Sequence, residues 1–88
     1  MKISEEVLTT FENRQVVVNV YEDEELVKRE GFFFDSITIS ERNINFVKNN
    51  TNKLSIEYTP FNEFVKGDTF KDYFILKNGN NYIEIYFP

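Results

Sequence analysis

Apolar residues in this chain recur in twos far more often than in threes and fours. In Arg14–Tyr21, Val16, Val18 and Val20 fall on one face, with Val17, Asn19 and Tyr21 on the other. That is the period of a half-buried strand. Arg42–Lys48 predicts another strand, with Ile44 and Phe46 on one face, and Asn49–Asn52 a turn. Lys53–Thr59 alternates cleanly, placing Leu54, Ile56 and Tyr58 inward until Pro60 removes a ladder donor and ends the run. Phe61–Asp68 predicts an irregular turn that tucks Phe61 and Phe64 over the sheet. Phe70–Lys77 is apolar on both faces, Tyr73 and Ile75 against Phe74 and Leu76, as in a central strand. The stretch NGNN (Asn78–Asn81) signals a hairpin, and Tyr82–Phe87 sets Ile83, Ile85 and Phe87 opposite Tyr82, Glu84 and Tyr86.

The start of the chain follows a different rule. Ser4 suits a helix N-cap, and Glu5 and Glu6 suit the positive end of the helix dipole. Ile3 and Leu8 have the spacing of a hydrophobic staple. The spacing predicts a helix over Ser4–Glu12 with Val7, Leu8 and Phe11 on one face. It is too short to stand alone.

The longest predicted strand runs from Leu26 to about Ser40 and contains Gly31 and the triplet Phe32-Phe33-Phe34. A glycine inside a strand predicts a bulge or bend, which would let this strand serve both halves of a barrel. Alternation groups Leu26, Lys28, Glu30, Phe32 and Phe34 on one side, with Val27, Arg29, Gly31, Phe33 and Ile37 on the other. Three consecutive rings cannot all enter the core of one sheet, so either the helix covers the second side or a ring is exposed. Together these elements predict a single α+β, mostly β domain. A short N-terminal helix is followed by about five to six antiparallel strands in a meander, forming a small barrel or a strongly bent sheet.

A strand followed by a long bent strand carrying Gly31 and then Phe34-Asp35 resembles the Sm-like small barrel and the small YolD-like bacterial proteins. The resemblance is one of shape and covers roughly residues 14–65. It implies a small barrel and, as a second functional reading, an RNA-binding module. The uridine-binding residues of the Sm-like family have no matching positions here.

Composition narrows the chemistry. The chain has no cysteine and no histidine, which removes disulfides, thiolate metal sites and the usual general base. Its three glycines are isolated, so no phosphate-cradling loop exists. The serines have no base at a telling spacing, and the run Glu22–Glu25 lacks the alternating ligands of a calcium loop. Neither a catalytic residue nor a metal site nor a cofactor is expected. The N-terminus lacks the apolar run of a signal peptide, and no stretch is long and apolar enough to span a membrane, so a cytoplasmic protein is expected. Net charge is −5. Residues 1–30 hold eight acids against four bases, and residues 31–88 seven against six. This balance disfavours nucleic-acid backbones and permits a basic protein surface.

What remains is protein binding: a non-enzymatic inhibitor or adaptor, of the kind bacterial or phage mobile elements encode. The first candidate patch is Glu22, Asp23, Glu24 and Glu25 with Phe32 and Phe34; the second is Tyr82, Glu84 and Tyr86 on the last strand. The apolar last strand also offers an edge for a homodimer.

Overall fold

The computed structural model describes residues Glu5–Pro88. A helical turn, α1 (Glu5–Leu8), precedes eight strands: β1 (Arg14–Glu22), β2 (Glu25–Phe34), β3 (Ser36–Ile39), β4 (Asn43–Lys48), β5 (Thr51–Glu57), β6 (Glu63–Lys66), β7 (Tyr73–Asn78) and β8 (Asn81–Tyr86). They form a five-stranded sheet, ordered β2-β1-β8-β7-β6, and a three-stranded sheet, ordered β3-β4-β5. Every pairing is antiparallel. The mostly β character matches expectation, but the sheets do not close into a barrel.

The long predicted strand is real as a path and wrong as a single strand. It breaks at Asp35, which passes the chain from one sheet to the other. Three hydrogen bonds hold this corner. Asn13 donates its N–H to the Asp35 carbonyl at 3.0 Å, and Asp35 donates its N–H to the Val47 carbonyl at 2.8 Å. Asn49 donates its N–H to Asp35 Oδ2 at 2.8 Å. Asp35 can therefore tie a corner with its side chain and backbone together. Gly31, the expected bend, pairs regularly with Val17, and a Cβ there would meet nothing nearer than 3.8 Å. The irregularity in β2 lies at Val27 instead: Val20 pairs with Lys28, but Tyr21 pairs with Leu26. This bulge reverses the parity of the strand, so Leu26 leaves the face that Lys28 and Glu30 occupy.

One face of each sheet builds the core. Val16, Val18, Phe74, Leu76, Ile83 and Ile85 rise from the larger sheet to meet Ile37, Ile44, Phe46 and Ile56 from the smaller. Phe46 takes the edges of two rings of the triplet, Phe34 at 5.4 Å and Phe32 at 5.8 Å between centroids. Phe33 points the other way and is 61% exposed. The helix does not cover it. Thr9 and Thr10 donate their hydroxyls to the Glu5 and Val7 carbonyls, a local bonding that competes with helix continuation, and α1 stops well short of Glu12. The Ser4 cap and the Ile3 end of the staple lie outside the described residues. Leu8 and Phe11 plug one end of the core, where Phe11 stacks on Phe87 at 4.0 Å.

Two further expectations change. Part of the predicted irregular turn is β6, an edge strand whose Phe64 stacks on Phe74 at 5.7 Å. The last strand is not an edge: β8 lies between β1 and β7, with both sides of its backbone paired. It therefore has no free ladder for a second copy. The edge strand β2 carries the Val27 bulge and an ion pair, Lys28 to Glu30 at 3.9 Å, on its inward-facing positions. Both are devices that discourage edge-to-edge pairing. Among the described residues, no helix is long and apolar enough to cross a membrane.

Candidate functional site

The outward side of the five-stranded sheet is unusual for a surface in solvent. Register fixes its rows. Gly31, Val17, Tyr86 and Tyr73 form one row across β2, β1, β8 and β7. Arg29, Asn19, Glu84 and Ile75 form the next, followed by Leu26, Tyr21, Tyr82 and Lys77. Four of the five tyrosines therefore share one face. Directly opposed aromatic and β-branched pairs stabilise a sheet by roughly 0.2–1 kcal/mol each, which gives the rings a structural role as well.

The rings are arranged, not scattered. Tyr21 and Tyr82 stack with centroids 4.4 Å apart. Phe70, from the loop before β7, lies against Tyr86 at 4.7 Å and Tyr73 at 5.6 Å. Gly67 seats Tyr73: a Cβ at Gly67 would collide with the tyrosine ring, and the Gly67 N–H donates to the Tyr73 carbonyl at 2.8 Å.

Glu84 lies at the centre. Tyr73 donates its hydroxyl to Glu84 Oε2, and Asn19 donates its side-chain amide to Glu84 Oε1 at 3.2 Å. The Tyr73 phenol is pushed up well above its ordinary range, first by burial and then by its hydrogen bond to Glu84 and that group's charge. The Tyr21 phenol is also raised, by burial first and next by the charge of Glu84. Asn19 Oδ1 is buried and has no hydrogen-bond partner among the described residues. The ion pairs among the described residues are Lys28–Glu30 and Arg14–Asp72, so Glu84 has neutral donors and no cation. Such a site can accept hydrogen bonds and offer ring faces.

The second candidate patch, Tyr82, Glu84 and Tyr86, thus falls on one face and grows by Asn19, Tyr21 and Tyr73. The first patch divides. Glu22, Asp23, Glu24 and Glu25 form the β1–β2 hairpin end, all exposed. Asp23 and Glu24 both have positive φ, at 51° and 66°, as a two-residue type I′ turn requires. The turn docks on the β7–β8 hairpin: Glu24 donates its N–H to the Asn80 carbonyl at 2.9 Å and Asp23 to Asn81 Oδ1 at 3.0 Å. Phe34 is only 1% exposed and Phe32 packs against the core, so neither can join the acids in a surface patch. Their face meets the second sheet, and alternation leaves Phe33 outside. The acids close the hairpin beyond Tyr21, where alternation turns Glu22 and Glu25 to the side opposite the tyrosines.

Asn19, Tyr21 and Tyr73 were missed as site residues although their signal is visible. Apart from Asn19 and Lys77, the outward positions of β1 and β7 in these rows are apolar or aromatic, a pattern equally consistent with a covered central strand. A separate cleft of about 170 Å³ opens between the sheets, floored by Val18, Val20, Leu54, Ile56 and Ile83, with the Lys28–Glu30 pair at its mouth. Among the described residues, no cluster of three metal-ligating side chains exists. The chain matches no protein-family model, no curated protein and no solved structure.

Proposed function

We propose that the protein is a small non-enzymatic binding domain, an inhibitor or adaptor, whose contact surface is the tyrosine face of the five-stranded sheet. The observation that carries this reading is the gathering of Tyr21, Tyr73, Tyr82 and Tyr86 around Glu84 on the side of the sheet away from the core. Tyrosine is favoured at protein interfaces because it offers a large, stiff, amphipathic surface at small conformational cost. The acid turn Glu22–Glu25 stands at the end of the sheet beyond Tyr21, and its charge favours a partner with a basic surface, chiefly by speeding encounter.

Affinity capture with the wild-type chain and with the Tyr82→Ala/Tyr86→Ala pair tests this. The expected result is one protein retained by the wild type, lost by the double variant, and rebound by the purified wild-type chain in calorimetry. Retention that ignores the tyrosine substitutions, or recovery of RNA alone, would remove the reading.

A further inference from the structure

We infer that Glu84 and the tyrosines around it receive an arginine side chain of the partner. This deepens the reading above and rests on it. A half-buried charge is ordinarily paired. Glu84 is half-buried in a tyrosine surround, yet its donors are neutral: Tyr73 and Asn19, with the Tyr21 phenol also directed at it. A carboxylate has about four lone-pair positions, so about one stays open to an incoming donor. Its uncompensated charge is felt by its neighbours, for it helps raise both the Tyr73 and the Tyr21 phenols.

Neither cation on this face fills the gap: Lys77, opposite Tyr82 in the ladder, is exposed and makes no ion pair among the described residues. Arg29 sits directly opposite Asn19 in the ladder, is exposed, and makes no ion pair among the described residues. The site therefore presents acceptors and ring faces: the Glu84 carboxylate, the stacked pair Tyr21–Tyr82, and Asn19 Oδ1, a buried acceptor without a donor. A guanidinium matches each of these. It is planar, stacks on aromatic rings, sheds water more readily than an ammonium and carries surplus N–H groups after engaging a carboxylate. One of those groups would satisfy Asn19 Oδ1 after the small side-chain adjustment common at interfaces. A lysine offers a point charge that uses neither the ring planes nor the second acceptor.

The test is an NMR titration of the whole chain with three capped tripeptides, Gly-Arg-Gly, Gly-Lys-Gly and Gly-citrulline-Gly. The expected result is saturable shifts of the Asn19 side-chain amide and the Tyr73 and Tyr82 rings with the arginine peptide. The lysine peptide should bind at least roughly fivefold more weakly, and the citrulline peptide and a Glu84→Gln variant should abolish the response. Equal shifts with citrulline, shifts confined to Glu22–Glu25, or no saturable shift at all would overturn the inference. The peptide comparison uses the wild-type protein, so it decides the matter even where Glu84→Gln disturbs folding. A partner captured through Tyr82 and Tyr86 that leaves Glu84 untouched would sink the arginine site alone. Capture indifferent to Tyr82 and Tyr86 would sink the binding reading itself.

Discussion

The two sheets turn opposite kinds of surface to solvent. On the three-stranded sheet, the outward row Thr38, Asn45 and Ser55 is short, neutral and self-satisfied. Ser55 donates its hydroxyl to Asn45 Oδ1 at 2.8 Å, and Asn45 donates its amide to Thr38 Oγ1 at 3.4 Å. On the five-stranded sheet, the equivalent row Arg29, Asn19, Glu84 and Ile75 is flanked by tyrosines and leaves capacity unused. There Asn19 binds Glu84 through its amide while its oxygen has no donor. An asparagine stands inside both rows, so the residue type alone does not mark a site. What differs is whether its neighbours complete its hydrogen bonding. A face that satisfies itself has nothing to gain from a partner. A face with an unpaired acceptor and an anion without a cation gains when one arrives.

The largest effect tests what the two faces share. Both rest on Phe46, fully buried beneath Phe32 and Phe34. Phe46→Ala should cost about 3–5 kcal/mol, read as a shift in the urea midpoint, and should abolish partner binding through unfolding. A cost under about 1 kcal/mol would mean the sheets do not depend on one core.

Binding should then separate the faces. Tyr82→Ala with Tyr86→Ala should weaken partner binding by about 2 kcal/mol or more, roughly thirtyfold, as hot-spot tyrosines do. Thr38→Ala with Asn45→Ala should leave it within about twofold. Calorimetry with the captured partner checks both, and a larger loss from the second pair would reverse the assignment.

Tyr73→Phe probes the centre of the tyrosine face more gently. It removes the hydroxyl that binds Glu84, and the expected cost is about 1 kcal/mol for a hydrogen bond to a charged, partly solvated group. The same change alters alkaline stability. A phenol raised on folding stabilises the protein fully below its unfolded value of about 10 and loses that contribution as pH climbs through the folded value. Wild-type stability should thus fall more steeply above pH ~10 than that of Tyr73→Phe, measured as urea midpoints alongside phenolate absorbance. Identical slopes would show that the Tyr73 phenol is not held by Glu84.

How far these faces were legible in the sequence depends on the range of the interaction concerned. Period two in β1, β4, β5, β7 and β8 is a local signal, and it sorted inward Val16, Ile44, Ile56 and Ile85 from their outward neighbours correctly. The handover at Asp35 was not legible, because it depends on Asn13, Val47 and Asn49 meeting one residue from distant places in the chain. Gly31 looked like the bend because glycine is the usual local cause. Alternation makes the phenylalanine triplet two-sided, as the structure has it, but does not tell which side is covered, since the cover for Phe32 and Phe34 is a second sheet. Tyr82, Glu84 and Tyr86 were recognisable as one face. That Asn19, Tyr21 and Tyr73 join them follows from strand order, which periodicity does not encode.

The smallest effect concerns the acid turn and separates its two roles. Asp23 and Glu24 occupy left-handed positions that asparagine and glycine adopt at less cost. Glu22 and Glu25 also stand directly opposite each other as like charges, an arrangement that destabilises a strand pair. For folding alone, then, the sequence of this hairpin is a poor choice. Asp23→Asn with Glu24→Gly should stabilise the chain by about 1 kcal/mol, because it relieves two strained positions and removes two charges from the run. If the acids steer a basic partner to the tyrosine face, the same variant should associate more slowly and show a shallower dependence of association rate on salt, while dissociation changes little. Stopped-flow association at two ionic strengths, together with a urea midpoint, reads both roles in one protein. A gain in stability with unchanged association would make the turn a solubilising connection and leave recognition entirely to the tyrosine face. No gain in stability would show that the strain inferred from the positive φ angles is relieved by the turn's hydrogen bonds to Asn80 and Asn81.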